Sequence, residues 1–435
     1  MPTFKIECIE VSGCKPLPVE QDNASRVLAT FAMGGVLGAA GGTKEPFNIH
    51  IHRQVALLVL TMGYPFLAES DLLLRWENGI PDPDGPSYML LMALCAVSSQ
   101  AAALNAVFDN ALLEGLSTPD SDQYFLEAVS KIPVHIAQSQ NLDYLRSFGL
   151  LAVYSLQRSN YSDLHRYLGA YHALVAQHSF HDESRWPDDI SISEIDNRRR
   201  LFWCIYRLEI HSACVLGHVV RLPEVQVSVL YPRIIPSMDP ETQAWTAGWD
   251  YITDLFRLLE YAMLSLRGCK TRKAVFSVIC DRPSPTTLLD GLARLKSSKS
   301  RVLLSINDPN SGYQTNRCKY MAVQITCTET LVTIMALLYC QAPACEVMEI
   351  AENFLEEVTK APLIMFKVAG NYIVQQLLGV GHMLYNASRS DNGRYRSEAK
   401  RLIALLGDLA KSLELDIPFA ATAGERLLNM AEHSS

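Results

Sequence analysis

The sequence is short of charge. Asp, Glu, Lys and Arg make up 19% of 435 residues while 49% are hydrophobic, against ~25% charged in an average soluble domain. That balance excludes a disordered chain and points to extensive internal burial. Glycine and proline, 23 and 21 residues, are too few for a collagen-like or low-complexity architecture. No stretch reads as a membrane span or a signal peptide. The longest weakly polar run, 27–42, is rich in Gly and Ala and falls short of the ~20 strongly apolar residues that cross a bilayer. Residues 1–20 carry acidic side chains where a signal peptide needs an unbroken apolar core. The net charge of −8 repels phosphate polymers, so the bulk fold is not expected to hold nucleic acid by itself.

Chemical motifs are also scarce. There is no Gly-x-Ser-x-Gly turn, no His-Glu-x-x-His and no Cys-x-x-Cys, which removes the usual signatures of nucleophilic hydrolases, zincins and structural zinc sites. The eleven cysteines, from Cys8 to Cys345, have no framework spacing and read as reduced thiols. His50 and His52 lack a partner carboxylate. Asp188-Asp189 and Asn307-Asp308-Pro309-Asn310-Ser311 mimic fragments of the acidic motifs that hold magnesium in isoprenoid enzymes. The first lacks a third carboxylate at i+4, and Pro309 interrupts the helix that the second would need. The Gly-rich stretch ending in Gly41-Gly42-Thr43-Lys44 has the wrong spacing for a phosphate loop and reads as a linker. Neither a cofactor nor a metal is expected, and the chain does not read as an enzyme.

What is present is helical periodicity almost throughout, with no βαβ alternation and no fixed repeat. The expected fold class is all-α, a large multi-helix array. Residues 1–45 form a loosely held lead segment, 46–420 the helical domain and 421–435 a tail. Residues 89–103 and 144–156 are apolar on nearly every face, the pattern of helices surrounded by other helices. A helix over 163–178, capped by Ser162, carries Gly169, Ala170, Ala173 and Ala176, small surfaces for a close helix approach. His178 and His181 at its end read as capping or polar-core histidines. Further helices are predicted over 244–266, 320–339, 347–385 with a break near Pro362, and 397–413.

The best-defined helix spans 194–216. Ser193 and Asp196 give it a capping-box start and Gly217 a left-handed stop. Leu201, Ile205 and Leu208 form one stripe that Phe202 and Tyr206 widen, so this helix is expected to be a central strut. Glu194 and Asp196 stand four residues before Arg198 and Arg200, the favourable orientation for helix ion pairs. In 267–301, nine Lys and Arg residues face two Asp. This is the one basic region, either a solvated insert or a patch for nuclear import or an acidic partner. Lys270, Arg272, Lys273, Lys296, Lys299 and Arg301 would form the patch.

Segment 167–232 resembles the fungal-specific transcription factor domain, the all-helical regulatory region of fungal zinc-cluster activators. YLGAYHALVAQHSFHDE (167–183) is similar to that family's helix and the corner after it, with His181 in the corner. RRRLFWCIYRLEI (198–210) is similar to its signature helix, with Arg199, Arg200, Leu201, Phe202, Trp203, Tyr206 and Glu209 at the matching positions. Gly217 opens a turn like the one that follows. Two departures stand out. Glu209 occupies a place where Asp is usual, and His218-Val219 replace Arg-Pro. The six closely spaced cysteines that hold two zinc ions in family activators have no counterpart, since only Cys8 and Cys14 lie near the N-terminus.

The resemblance implies a nuclear regulator of transcription that works through protein partners, either a zinc-cluster transcription factor or a second copy of itself. DNA would be reached only indirectly, a small-molecule effector could bind in the helical core, and the targets could be a secondary-metabolite gene cluster. Two alternatives remain open at this point. One is an all-helical enzyme on an isoprenoid or other apolar substrate; the other is a zinc-cluster activator whose cysteine module lies upstream of the sequence read here.

Overall fold

The computed structural model describes residues 81–107, 120–136, 139, 141–236, 238–270, 285–298, 316–390, 393–415 and 417–432. The lead segment, His50, His52 and residues 307–311 fall outside them. Among the described residues there are thirteen α-helices and no strands, and 77% of those residues are helical. The first four are α1 (Pro86–Ala103), α2 (Ser121–Ser130), α3 (Leu142–Gln157) and α4 (Tyr161–Gln177). The strut is α5 (Ile192–Leu216), followed by α6 (Pro240–Lys270), α7 (Pro285–Ser298) and α8 (Asn316–Tyr339). The chain closes with α9 (Ala344–Val358), α10 (Leu363–Ala369), α11 (Asn371–Ser390), α12 (Arg396–Ser412) and α13 (Ala420–Glu432). The segment read as a tail therefore carries a helix whose Ala420, Ala423 and Leu427 are buried.

Local chemistry sets the starts of the early helices, because an uncapped first turn leaves backbone N–H groups without acceptors. The backbone N–H of Asp122 donates to the Asp120 side chain, that of Asp143 to Asn141 and that of Asp163 to Asn160. Two expected caps move. Asn160 caps α4 in place of Ser162, since its amide oxygen reaches the third residue of the helix. Ser191 replaces Ser193 on α5, its Oγ accepting from the Glu194 N–H at 3.1 Å. The sequence Ser191-Ile-Ser-Glu194 is a better capping pattern than Ser193 to Asp196. Gly217 ends α5 as expected, at φ 78°, and donates to Ala213 O at 3.2 Å.

One hydrophobic cluster runs from Tyr88 in α1 to Ala431 in α13 and holds α5 at its centre. Leu201, Ile205 and Ile210 are fully buried, and Phe202, Trp203, Tyr206 and Leu208 nearly so. Each such side chain contributes about 1.5–3 kcal/mol of transfer free energy. The expectation of no membrane-length helix needs correction. By length and composition α1 and α8 are apolar enough to cross a bilayer. In the fold, 78% of each apolar window is buried among other helices, and α8 also encloses Gln324, Thr328 and Thr333.

Small residues matter, but at other places than expected. A Cβ on Gly169 would meet nothing within 4 Å, so that stripe mediates no close approach there. Close approaches occur where α11, α12 and α13 cross. A Cβ on Gly381 would run into Leu427, and one on Gly407 would sit 2.9 Å from Leu428 Cγ. Between α10 and α11 the chain bends by 100° at Gly370, whose φ of 60° and ψ of −144° are open essentially to glycine alone. The bend is tied to the end of α3. Gln157 Nε2 donates to Ala369 O at 3.2 Å, and Asn371 Nδ2 donates to Gln157 O at 2.6 Å and to Ser159 Oγ at 3.0 Å.

Candidate functional site

The signature helix α5 uses its polar side chains to hold an irregular stretch, 218–236, against itself and α6. Trp203 is 4% exposed, and its Nε1 donates to Leu230 O at 3.0 Å. Arg199 binds Glu183 through Nε and Nη2, and its Nη1 lies 3.4 Å from Asp196. Asp196 also takes Arg233 Nη2 at 3.0 Å. Glu183 accepts the Leu230 N–H at 3.0 Å. Burial opposes ionisation of Glu183, but Arg199 and that N–H outweigh it and hold the carboxyl below its usual range. Of the acid-first pairs expected here, Glu194–Arg198 forms at 3.3 Å, whereas Asp196 turns to Arg199 and Arg233.

Further along, Tyr206 donates to Glu260 Oε2 at 2.6 Å, and Glu260 accepts the Glu224 N–H at 3.1 Å. Burial raises the Glu260 carboxyl, against the two donated hydrogen bonds. Glu209 is 1% exposed and takes Arg221 Nη1 at 2.8 Å and the Arg221 N–H at 3.0 Å. Burial works against its charge, yet His172, with Nε2 at 3.5 Å, and Arg221 hold the carboxyl below its usual range. Arg267 closes the end of the strut, donating to Ala213 O at 2.5 Å and His218 O at 2.7 Å. The orphan carbonyls of a helix end thus receive a cation.

The 178–186 corner is fastened the same way. Ser228 N donates to His181 O at 2.9 Å and Glu183 N to Ser228 O at 3.3 Å, the one bridge described. Trp186 Nε1 donates to Phe180 O at 3.2 Å. His181 takes part through its backbone, and its Nδ1 has no hydrogen-bond partner among the described residues. His178 is a helix C-cap, as expected, with Nε2 3.0 Å from Ser139 O.

Of the six basic residues expected to form a patch, two fall among the described residues. Lys296 is tied to Glu329 at 3.3 Å, and Lys270 is the last residue of α6. Arg272, Lys273, Lys299 and Arg301 lie outside the described residues. Asp188 and Asp189 are exposed. Among the described residues no three His, Cys, Asp or Glu side chains are placed to share a metal ion.

A cavity beside α5 went unmarked in the sequence. Arg207 and Cys204 line it from α5, facing Trp249, Tyr320, Gln324 and Tyr372. The available signal was an arginine within the apolar run 201–210 of the strut, since a charge in such a place needs a partner or a purpose. Asp250, next to Trp249, is pushed by burial up to about 7, with Arg207 the leading influence in the other direction.

This is an all-α domain in which the buried strut spends its polar groups on fastening neighbouring segments. The model of the fungal specific transcription factor domain matches residues 62–308, more than half of the chain, and the chain belongs to that family. The family is one of transcription factors and not of enzymes, so the isoprenoid-enzyme alternative is set aside. Over 113 residues, 26% of the chain, it is 28% identical to pyrimidine pathway regulatory protein 1 of Saccharomyces cerevisiae. The match spans 12% of that relative's length. No solved structure matches with significance.

Proposed function

We propose that the protein regulates transcription in the nucleus, acting through a partner protein and answering a small-molecule effector held in its helical core. The observation that carries this reading is the family match over 62–308 together with the latched signature helix inside it. The yeast relative is a pathway regulator by name, which supports control of a metabolic gene set, and a secondary-metabolite cluster is the set proposed. DNA is reached through the partner, either a zinc-cluster transcription factor or a second copy of the chain. The net charge of −8 supports indirect contact, because an acidic surface is repelled by phosphates. The basic stretch 267–301 is proposed to serve nuclear import, with Lys270, Arg272, Lys273, Lys299 and Arg301 as its charges.

The experiment is to tag the full chain in its host, capture it from nuclei and record genome-wide transcript changes on deletion. A DNA-binding zinc-cluster protein or a second copy in the captured material, with coordinated loss of one gene set, is the expected outcome. An exclusively cytoplasmic protein whose deletion leaves transcripts unchanged would end the proposal.

A further inference from the structure

Arg207 is 6% exposed and carries a guanidinium that stays charged at any ordinary pH. A buried cation normally has a carboxylate against it, because desolvation is otherwise uncompensated. Among the described residues Arg207 makes no ion pair, and the carboxyl that acts on it is that of Asp250, raised by burial. Its Nη1 donates to Thr253 Oγ1 at 2.7 Å, and its guanidinium carbon sits 4.4 Å from the centre of the Trp249 ring. Thr253 accepts one of five available N–H bonds. Cys204, also on the cavity wall, is a second hydrogen-bond partner, and the guanidinium lines the cavity. Trp249 Nε1, also buried, has no acceptor among the described residues.

The walls are aromatic and firmly held. Tyr372 follows the Gly370 bend and stacks on His211 at 4.0 Å, while His211 is fixed to Gln375 at 2.9 Å. Tyr320 and Gln324 of α8 face them. The cavity volume is about 20 Å³, against the ~10–15 Å³ that one water needs. It therefore admits one to two oxygen-sized groups, about the head of a carboxylate. Donors from Arg207 and Trp249 beside aromatic rings suit an acceptor bearing negative charge.

We propose that this cavity receives the carboxylate of a small organic acid, with Arg207 as its counter-charge and Trp249 Nε1 as a second donor. The proposal gives a ligand class to the effector named under the proposed function. Asp250 sets its pH behaviour. The groups acting on that carboxyl are Arg207 and Arg200 from α5 and Asp254 from its own helix. Below about 7 the acid is protonated and leaves Arg207 uncompensated; above it, the carboxylate competes with the ligand.

The test is calorimetric titration and thermal unfolding of the purified full chain with acetate and benzoate, using acetamide and benzamide as neutral controls. A saturable rise in Tm with the carboxylates alone is expected. Arg207→Met should weaken binding at least about tenfold, the weight of a charge-assisted hydrogen bond. Should that variant not fold, Trp249→Phe keeps the ring, removes the N–H and is expected to weaken binding about threefold to tenfold. Affinity should fall between pH 6 and 8.5, and Asp250→Asn should remove the fall. Equal responses to acids and amides, no response to any probe, or unchanged binding in both Arg207→Met and Trp249→Phe would overturn the proposal. Carboxylate binding without any effect on a reporter gene would count against the transcriptional reading alone.

Discussion

Two regions of this array are held by different chemistry. Around α5 the contacts are side chains reaching across 12 to 54 positions of sequence: Glu209 to Arg221, Trp203 to Leu230, Tyr206 to Glu260, Arg267 to Ala213. Around α11, α12 and α13 the contacts are shape, with Gly381 under Leu427 and Gly407 under Leu428. A region fixed by charge is sensitive to which group is present and to pH. A region fixed by shape is sensitive to volume, because close-packed interiors give way poorly.

The largest effect is expected in the charged region. Arg146 and Asp143 pair at 2.9 Å with side chains 2% and 3% exposed. Asp143→Ala should cost about 3–5 kcal/mol in a urea titration, because a buried guanidinium is left without its main partner. Asp143→Asn should cost less, and equal losses would contradict the electrostatic account. Next comes pH. His211 is held neutral, its pKa brought down by burial to about 4. The unfolded chain takes up the proton first, so stability drops as pH falls from ~6.5 to ~4, by roughly 3 kcal/mol. His211→Gln should flatten that slope. Asp250 acts in the opposite sense, since its raised folded pKa means stability is lost as pH rises toward about 7. Asp250→Asn should therefore gain stability at neutral pH and leave the acid slope steeper than in the parent. In the shape-fixed region, Gly407→Val should cost about 1–3 kcal/mol, with no pH dependence beyond that of the parent; Gly169→Ala should cost nothing of that kind. The smallest effect is that of Ser191→Ala, about 1 kcal/mol for a lost cap, read as a lower Tm.

The same contrast explains what could be read from sequence. Gly217 and the buried face of α5 follow local rules, a left-handed stop and a periodic stripe, and the structure contains both. The caps at Ser191 and Asn160 were legible too, but a neighbouring serine competed with each, and which oxygen reaches a free N–H depends on the path of the preceding chain. The latches were not legible. Nothing near Trp203 indicates that its N–H will meet a carbonyl 27 positions later, because the partner is backbone and backbone is the same everywhere. Gly169 misled for a related reason: a small residue permits contact, and only the tertiary arrangement decides whether a helix arrives there. The cavity was hidden because Arg207 sits inside the arginine-rich signature, where its neighbours Arg198 and Arg199 have structural partners.

The atoms that Trp203, Arg199 and Arg267 grasp in the 218–236 stretch include main-chain oxygens of Leu230, Tyr231 and His218. Exchange of those three residues for others leaves the grasped atoms in place, whereas exchange of Trp203 or Arg199 on the strut, or of Arg267 on α6, removes the hand that does the grasping. Among descendants of one ancestor the stretch is therefore free to diversify at its exposed Val219, Val225 and Leu230 while the strut is not. A surface that can be rewritten without loosening its attachment lets a lineage change what that surface meets.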